Sequence, residues 1–197
     1  MREAMLVVAY LLGSIPFAFL AVRLAGKGDI RRVGSGNVGA TNTMRAAGWK
    51  VALPVALLDV AKGVAAVLLM RTVTASPVWV TGAGLAAIVG HCFPVWLRFS
   101  GGKGVATGAG VFFTLAPLPA AVVGGVWLVL MAATRIVSLA SVIAAASFPV
   151  VYFFLGHPSR GVLLCATLAA MVIIYRHRGN IRRLTRGEEP RLGEKKA

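Results

Sequence analysis

The stretch VATGAGVFFTLAPLPAAVVGGVWLVLMAA, residues 105–133, decides the fold, because its reading sets how often the chain crosses a membrane. It is apolar and uncharged throughout, yet longer than the about 20 residues that one helix needs to span about 30 Å of hydrocarbon. Pro117 and Pro119 interrupt it, and a proline inside a helix removes a hydrogen bond and clashes with the preceding turn. The segment therefore predicts two short helices hinged at Pro117.

Outward from this stretch, residues 4–25, 51–70, 78–97, 136–155 and 161–175 each form an apolar run of membrane-spanning character. Charge then chooses the count. With the hinge there are seven spans, the N-terminus outside and the C-terminus inside. Roughly four-fifths of Lys and Arg then face the cytoplasm, as the positive-inside rule requires, including the basic tail from about residue 176 to 196. A single span over 105–133 would place that tail outside. The expectation is one all-α polytopic membrane domain covering residues 1–197.

Composition agrees. Of the 197 residues, 58% are hydrophobic and 14% charged, against about 45–50% and about 25% in a soluble domain. The net charge of +15 does not indicate nucleic acid. The basic residues fall between apolar runs, where topogenic and headgroup contacts belong, and do not line one surface among stacking aromatics. Arg2 precedes an apolar stretch, but 4–25 is too long for a signal-peptide core and has no cleavage pattern, so it reads as the first span. Cys92 and Cys165 lie singly in apolar surroundings, which supports neither a disulfide framework nor a zinc site. Trp49, Trp79, Trp96 and Tyr175 fall near span ends, whereas Trp127 falls mid-span, against the interfacial preference. Small residues at 82, 84, 86, 90, 104 and 108 allow close helix packing in lipid.

Three segments do not look like ordinary connecting loops, and all three emerge on the cytoplasmic side of the seven-span arrangement. The first is GSGNVGATN at 34–42 with Arg45 behind it. Glycines such as Gly36 let backbone N–H groups converge. Ser35, Asn37, Thr41 and Asn42 add neutral donors, and Arg45 a forked cation suited to phosphate. The second is GHCFP at 90–94 followed by FSGGKGVAT at 99–107, where a Gly-rich turn containing Gly101, Gly102, Lys103 and Gly104 launches a helix through Thr107. Free N–H groups and a positive dipole end are expected there. It is no Walker loop, lacking the first glycine and the Lys-Ser/Thr pair. His91 stands at a span end, equally consistent with a structural role. The third is YRHRGNIRRL at 175–184, in which His177 and Asn180 share a helix face by their i, i+3 spacing. Asp59 and Lys62 lie within the second span, also i, i+3, and read first as a mutually neutralising pair. Ser138 and Ser141, behind Arg135, can reach the same end of the molecule.

Together, GSGNVGATN with Arg45, GHCFPVWLRFSGGKGVATG and HRGNIRRLTRG, in this order, resemble the bacterial acyl-phosphate:glycerol-3-phosphate acyltransferase family (PlsY) along the whole chain. Val38 stands where the family commonly has proline, and Gly179 where an acidic residue is frequent. The resemblance implies a multi-pass inner-membrane enzyme with a cytoplasm-facing site. It would move a fatty acyl group from acyl phosphate to the 1-hydroxyl of glycerol 3-phosphate, giving lysophosphatidic acid and phosphate, without cofactor or metal. The expected partners are these two substrates, the lipid bilayer and an acyl-phosphate-producing enzyme, and not nucleic acid. Lys103 and Arg45 are assigned to the phosphate of glycerol 3-phosphate, helped by Ser138 and Ser141. Ser35, Thr41, His177, Asn180 and the backbone around Gly36 and at 101–104 are assigned to the acyl phosphate. The proton acceptor is either His177 or, as the resemblance implies, a substrate phosphate oxygen. No G-x-S-x-G elbow is present, and no aspartate follows any histidine by five places.

Two other readings fit the basic loops less well. A phosphate or organophosphate carrier would place polar groups near mid-membrane and show two related halves. An alcohol phosphotransferase needs a metal held by clustered carboxylates, and the chain has six Asp and Glu, widely scattered.

Overall fold

The helical run breaks at Ala116, one residue before Pro117, in a computed structural model that describes residues 1–193; Lys195 and Lys196 of the expected basic tail lie outside them. Helix α6 covers Val105–Leu115 and α7 Pro117–Thr134, with Pro117 in the first turn of α7, where its missing N–H goes unneeded. The remaining helices among the described residues are α1 (Arg2–Gly13), α2 (Phe17–Leu24), α3 (Ala40–Ala47), α4 (Trp49–Arg71), α5 (Pro77–Cys92), α8 (Val137–Gly156), α9 (Arg160–Arg176) and α10 (Arg178–Thr185). Five helical segments are long and apolar enough to cross a membrane, six if the bent α9–α10 pair counts as one. At 11 residues, α6 reaches only about 16 Å at about 1.5 Å per residue, about half the hydrocarbon thickness.

Two expected boundaries move. The run 4–25 is not one helix. It parts at Ser14–Pro16, since Pro16 supplies no N–H and pushes Ile15 out of the helical region. The third run is helical only to Cys92, after which Pro94 diverts the chain into a single tight turn at Val95–Leu97.

The bundle is inverted relative to a soluble protein. Large apolar side chains such as Leu57, Leu128, Val129, Phe154 and Met171 face outward, while much of the interior is alanine and valine. Burial of oily side chains cannot hold helices together when lipid is equally apolar, so close backbone packing must do so. A Cβ at Gly13 would stand 2.1 Å from the Ala87 carbonyl oxygen, and one at Gly110 would stand 2.1 Å from that of Val60. α1 crosses α5, and α4 crosses α6, backbone to backbone. Trp127 finds its reason here too: its indole N–H donates to Ser141 Oγ across the α7–α8 contact at 3.1 Å.

Candidate functional site

The chain ends of α3, α5, α6, α8, α9 and α10 meet at one end of the bundle and carry the three unusual segments with them. The first loop is shaped by Asn42. Its amide donates to the carbonyls of Val33 at 2.9 Å and Ile30 at 3.2 Å, and its Oδ1 accepts the Ser35 N–H at 3.1 Å. Asn42 is 1% exposed, so this residue, expected among the donors to an anion, commits its amide to the loop's own backbone. Ser35 is exposed, and its Oγ accepts the Asn37 N–H at 3.5 Å, leaving the hydroxyl proton unengaged. Gly36 has the left-handed φ of +68° that the turn demands. Thr41 stands in the first turn of α3 with an unengaged hydroxyl, and Arg45 in its last turn lies over Gly34 with an exposed side chain.

The second loop folds back on the end of α5. Gly101 N–H donates to Cys92 O at 3.2 Å, and Gly102 N–H to His91 O at 3.0 Å. These glycines, expected to aim N–H groups at phosphate, have both committed to the loop's own fold. They are glycines for want of space: a Cβ at Gly101 would stand 2.2 Å from His91 O, and one at Gly102 2.0 Å from the His91 ring. Their carbonyls are clamped from the other side by Arg176, whose Nε donates to Gly102 O at 3.0 Å and Nη2 to Gly101 O at 2.8 Å. Gly104, at φ +83°, then starts α6 without a side-chain cap, so free N–H groups lie there instead. Thr107, fully buried in α6, has a hydroxyl with no partner among the described residues.

Lys103 projects from this clamped loop among Arg45, Arg176 and Arg183, with Glu189 as the carboxylate in reach. Burial, reinforced by the three guanidinium groups and opposed by Glu189, pulls its pKa down to about 8. His177 is 2% exposed and its Nδ1 is 2.8 Å from the Ile173 carbonyl, the geometry of a donated Nδ1–H that leaves Nε2 as an acceptor. Burial is the main reason its pKa falls to about 4, so the ring is neutral at pH 7.

Sequence reasoning missed Glu189. The chain past α10 turns back, pinned by Leu192 N–H to Arg135 O at 2.7 Å. Its Glu189 carboxylate accepts from Ser138 Oγ at 2.7 Å, from the Asn180 amide and from Arg183 Nε at 2.7 Å. Burial raises this carboxyl's pKa, but those three hydrogen bonds and the Arg183 charge outweigh it and hold the value below the ordinary one. Two adjacent acids, Glu188 and Glu189, set among six arginines at 176–191 were the available signal. Asn180 and Ser138 are thus brought together on one carboxylate at this end of the bundle. Ser141 turns away: its hydroxyl donates to Val137 O at 2.7 Å and accepts from Trp127.

His91 also turns inward. Its Nδ1 stands 3.4 Å from Asp59 Oδ1, which Lys62 Nζ approaches to 2.8 Å. Lys62 also donates to Ile15 O at 3.0 Å, a carbonyl freed by the α1–α2 break. This cluster lies directly behind Gly102 and supports the loop from within.

A polytopic helical bundle with a cation-rich, hydroxyl- and amide-lined site at one end is an integral membrane protein built to handle phosphate. The sequence profile of the family described as glycerol-3-phosphate acyltransferase matches residues 4–187. A glycerol-3-phosphate acyltransferase of Jannaschia sp. (strain CCS1) is 46% identical over 187 residues, covering 95% of this chain and 91% of that protein. The fold is similar to crystal structures of the integral membrane glycerol 3-phosphate acyltransferase PlsY (YgiH). The glycerol 3-phosphate form has a TM-score of 0.91 at 44% identity, with 98% of this chain and 96% of that one covered. The lysophosphatidic acid form has a TM-score of 0.88 at 42% identity, with 98% and 95% covered. The chain belongs to the glycerol-3-phosphate acyltransferase family, and is an enzyme that makes lysophosphatidic acid.

Proposed function

We propose that the acyl donor is acyl phosphate and that the acceptor is the 1-hydroxyl of glycerol 3-phosphate, bound at the end of the bundle where the three motifs converge. The observation that carries this reading is the charge imbalance there: Arg45, Lys103, Arg176 and Arg183 face a single carboxylate, Glu189. Two phosphate-bearing substrates would balance it. The solved relative's glycerol 3-phosphate and lysophosphatidic acid forms support the acceptor and the product of this reaction.

Lys103 and Arg45 hold the phosphate of glycerol 3-phosphate, with Ser138 and Asn180 oriented by Glu189 beside it. Ser35, Thr41, Asn37 and the free N–H groups at the starts of α3 and α6 hold the acyl phosphate. Thr107 offers its unengaged hydroxyl from behind. Asn42, Gly36, Gly101, Gly102 and His91 keep the loops in shape. In the transfer, the 1-hydroxyl oxygen bonds to the acyl carbon, the carbon–oxygen bond to phosphate breaks, and inorganic phosphate departs with the bonding pair. The hydroxyl proton goes to a substrate phosphate oxygen. A base works best with a pKa near the working pH, and a phosphate monoester, at about 6, meets that better than His177 at about 4. His177 accepts a substrate hydrogen bond at Nε2.

The chain crosses the membrane seven times, α6 and α7 each counting once, with the N-terminus outside and the motif end in the cytoplasm. The excess of Lys and Arg at that end supports the orientation. A cytoplasmic acyl-phosphate-producing enzyme is the supplier this reading requires.

The test offers purified protein labelled glycerol 3-phosphate with acyl phosphate, acyl-CoA or acyl carrier protein in separate reactions, without added metal. Lysophosphatidic acid from acyl phosphate alone is the expected result. Product from acyl-CoA would overturn the donor and leave the acyltransferase.

A further inference from the structure

We infer that the end of the bundle opposite the motif loops carries a second anion site, shaped for a phosphate group with a short organic body. A cavity of about 610 Å³ opens there between the end of α4, the start of α5, and the ends of α6 and α8 against the start of α9. Its polar lining includes Arg71, Tyr152, His157 and Ser159, its apolar wall includes Val80 and Leu115, and no carboxylate lines it.

Three features of different kind converge on it. Tyr152 is 9% exposed, yet its hydroxyl has no hydrogen-bond partner among the described residues, although it lines this cavity. The hydroxyl is reached from the cavity and is not sealed in the core, and an aromatic ring carrying one is normally seated so that the polar tip meets something. Its ring lies over Gly156, where a Cβ would come within 2.5 Å, so the chain has kept space for that placement. Next, α5 and α9 both begin at the cavity with no side-chain cap, although Ser76 and Ser159 occupy the capping positions. Pro77 brings no N–H, whereas the start of α9 lines the cavity through Ser159 and Val162, where a helix start carries free N–H groups and the positive end of its dipole. Finally, Arg71 is fixed at the mouth by one hydrogen bond, Nη2 to Thr114 O at 3.1 Å, and its other N–H groups remain available. A fixed cation, the uncapped start of α9 and an unpartnered hydroxyl on the same space together describe an anion site. The volume lies within the about 300–1,000 Å³ of small-molecule sites, too large for bare phosphate and suited to a glycerol-phosphate headgroup whose chains follow Val80 and Leu115. That phosphate can arrive on a membrane lipid or on a soluble ester.

The test uses full-length protein stripped of lipid in an uncharged detergent. Thermal unfolding is followed while phosphatidylglycerol, diacylglycerol of the same chains, or inorganic phosphate is titrated. Wild type is compared with Arg71→Gln/Tyr152→Phe and with Tyr152→Phe alone. Acyl transfer is measured in each, and its retention shows that the variants fold. Phosphatidylglycerol is expected to stabilise wild type more than diacylglycerol does. Its half-saturating concentration should rise roughly tenfold in the double variant, with a smaller rise in Tyr152→Phe. An inorganic-phosphate response that weakens equally in the double variant would assign the site to a soluble ligand. Titrations that coincide for wild type and both variants would overturn the site.

Discussion

Two polar clusters, each holding a lysine and one carboxylate, meet across the backbone of Gly102. Behind it, Asp59, Lys62 and His91 sit among helices at 2–7% exposure. One carboxylate faces one lysine at 2.8 Å and one imidazole at 3.4 Å, and the lysine's further hydrogen bond goes to Ile15 O. In front of it, Lys103 belongs to a group of four cations with one carboxylate, gathered from separate elements at a helix end. The first cluster balances its charge and has little left to offer. The second is short of negative charge and keeps open hydroxyl, guanidinium and N–H groups. An ionisable residue at membrane depth is a functional candidate by default; in the proposed reading, what separates support from site is whether the local charge closes.

The sharpest way to break this contrast is Asp59→Asn. Removing one partner of a buried pair leaves the other charge uncompensated and costs about 3–5 kcal/mol, so thermal unfolding in detergent should show a large loss. Asp59→Leu/Lys62→Met should recover at least half of it. A double variant as unstable as the single one would mean that the cluster is not a closed pair.

Lys103→Met should do the reverse. The protein should unfold at or above the wild-type temperature, because a half-buried cation crowded by three guanidinium groups has gone. The kcat/KM for glycerol 3-phosphate should fall by the about 1.5–3 kcal/mol of a charged hydrogen bond, roughly ten- to a hundredfold. Stability lost in step with activity would place Lys103 with the supporting cluster.

The pH dependence sharpens the same point. Lys103 titrates near 8 instead of its ordinary 10.5, so kcat/KM should decline as pH rises through about 8. The signs are opposite for binding and for folding. Between about 8 and 10.5 the unfolded chain holds a proton that the folded chain has lost, and stability rises with pH wherever the unfolded state binds more protons. Activity and this contribution to stability should therefore diverge over that window. Lys103→Arg should remove the alkaline limb, whereas a limb unmoved by it would belong to another group.

What the sequence revealed and what it hid follow from range. The hinge at Pro117, the helix launched after Gly104 and the pairing of Asp59 with Lys62 rest on interactions within a few residues, which composition and spacing report directly. The destination of a donor is a long-range property. Asn42 reads as one more amide near an anion until Ile30 and Val33 are seen to occupy it. Gly101 and Gly102 read as an N–H cradle until the end of α5 takes both N–H groups. Glu189 reads as a stray acid in a basic tail until the chain's return past α10 carries it to Ser138, Asn180 and Arg183.

Ser141 offers the finest test of site against support. Its neighbour Ser138 reaches the Glu189 carboxylate, whereas Ser141, three residues on, takes the Trp127 indole at 3.1 Å. A ring nitrogen in mid-membrane has no water to meet, so this hydrogen bond accounts for a tryptophan away from the interface. Ser141→Ala should cost about 0.5–1.5 kcal/mol of stability, as for an ordinary hydrogen bond, and leave KM for glycerol 3-phosphate unchanged. Trp127→Phe should cost a similar amount, and the two losses should not add, since each removes the same bond. A raised KM in Ser141→Ala, with additive stability losses, would return the serine to the site and leave Trp127 without its partner.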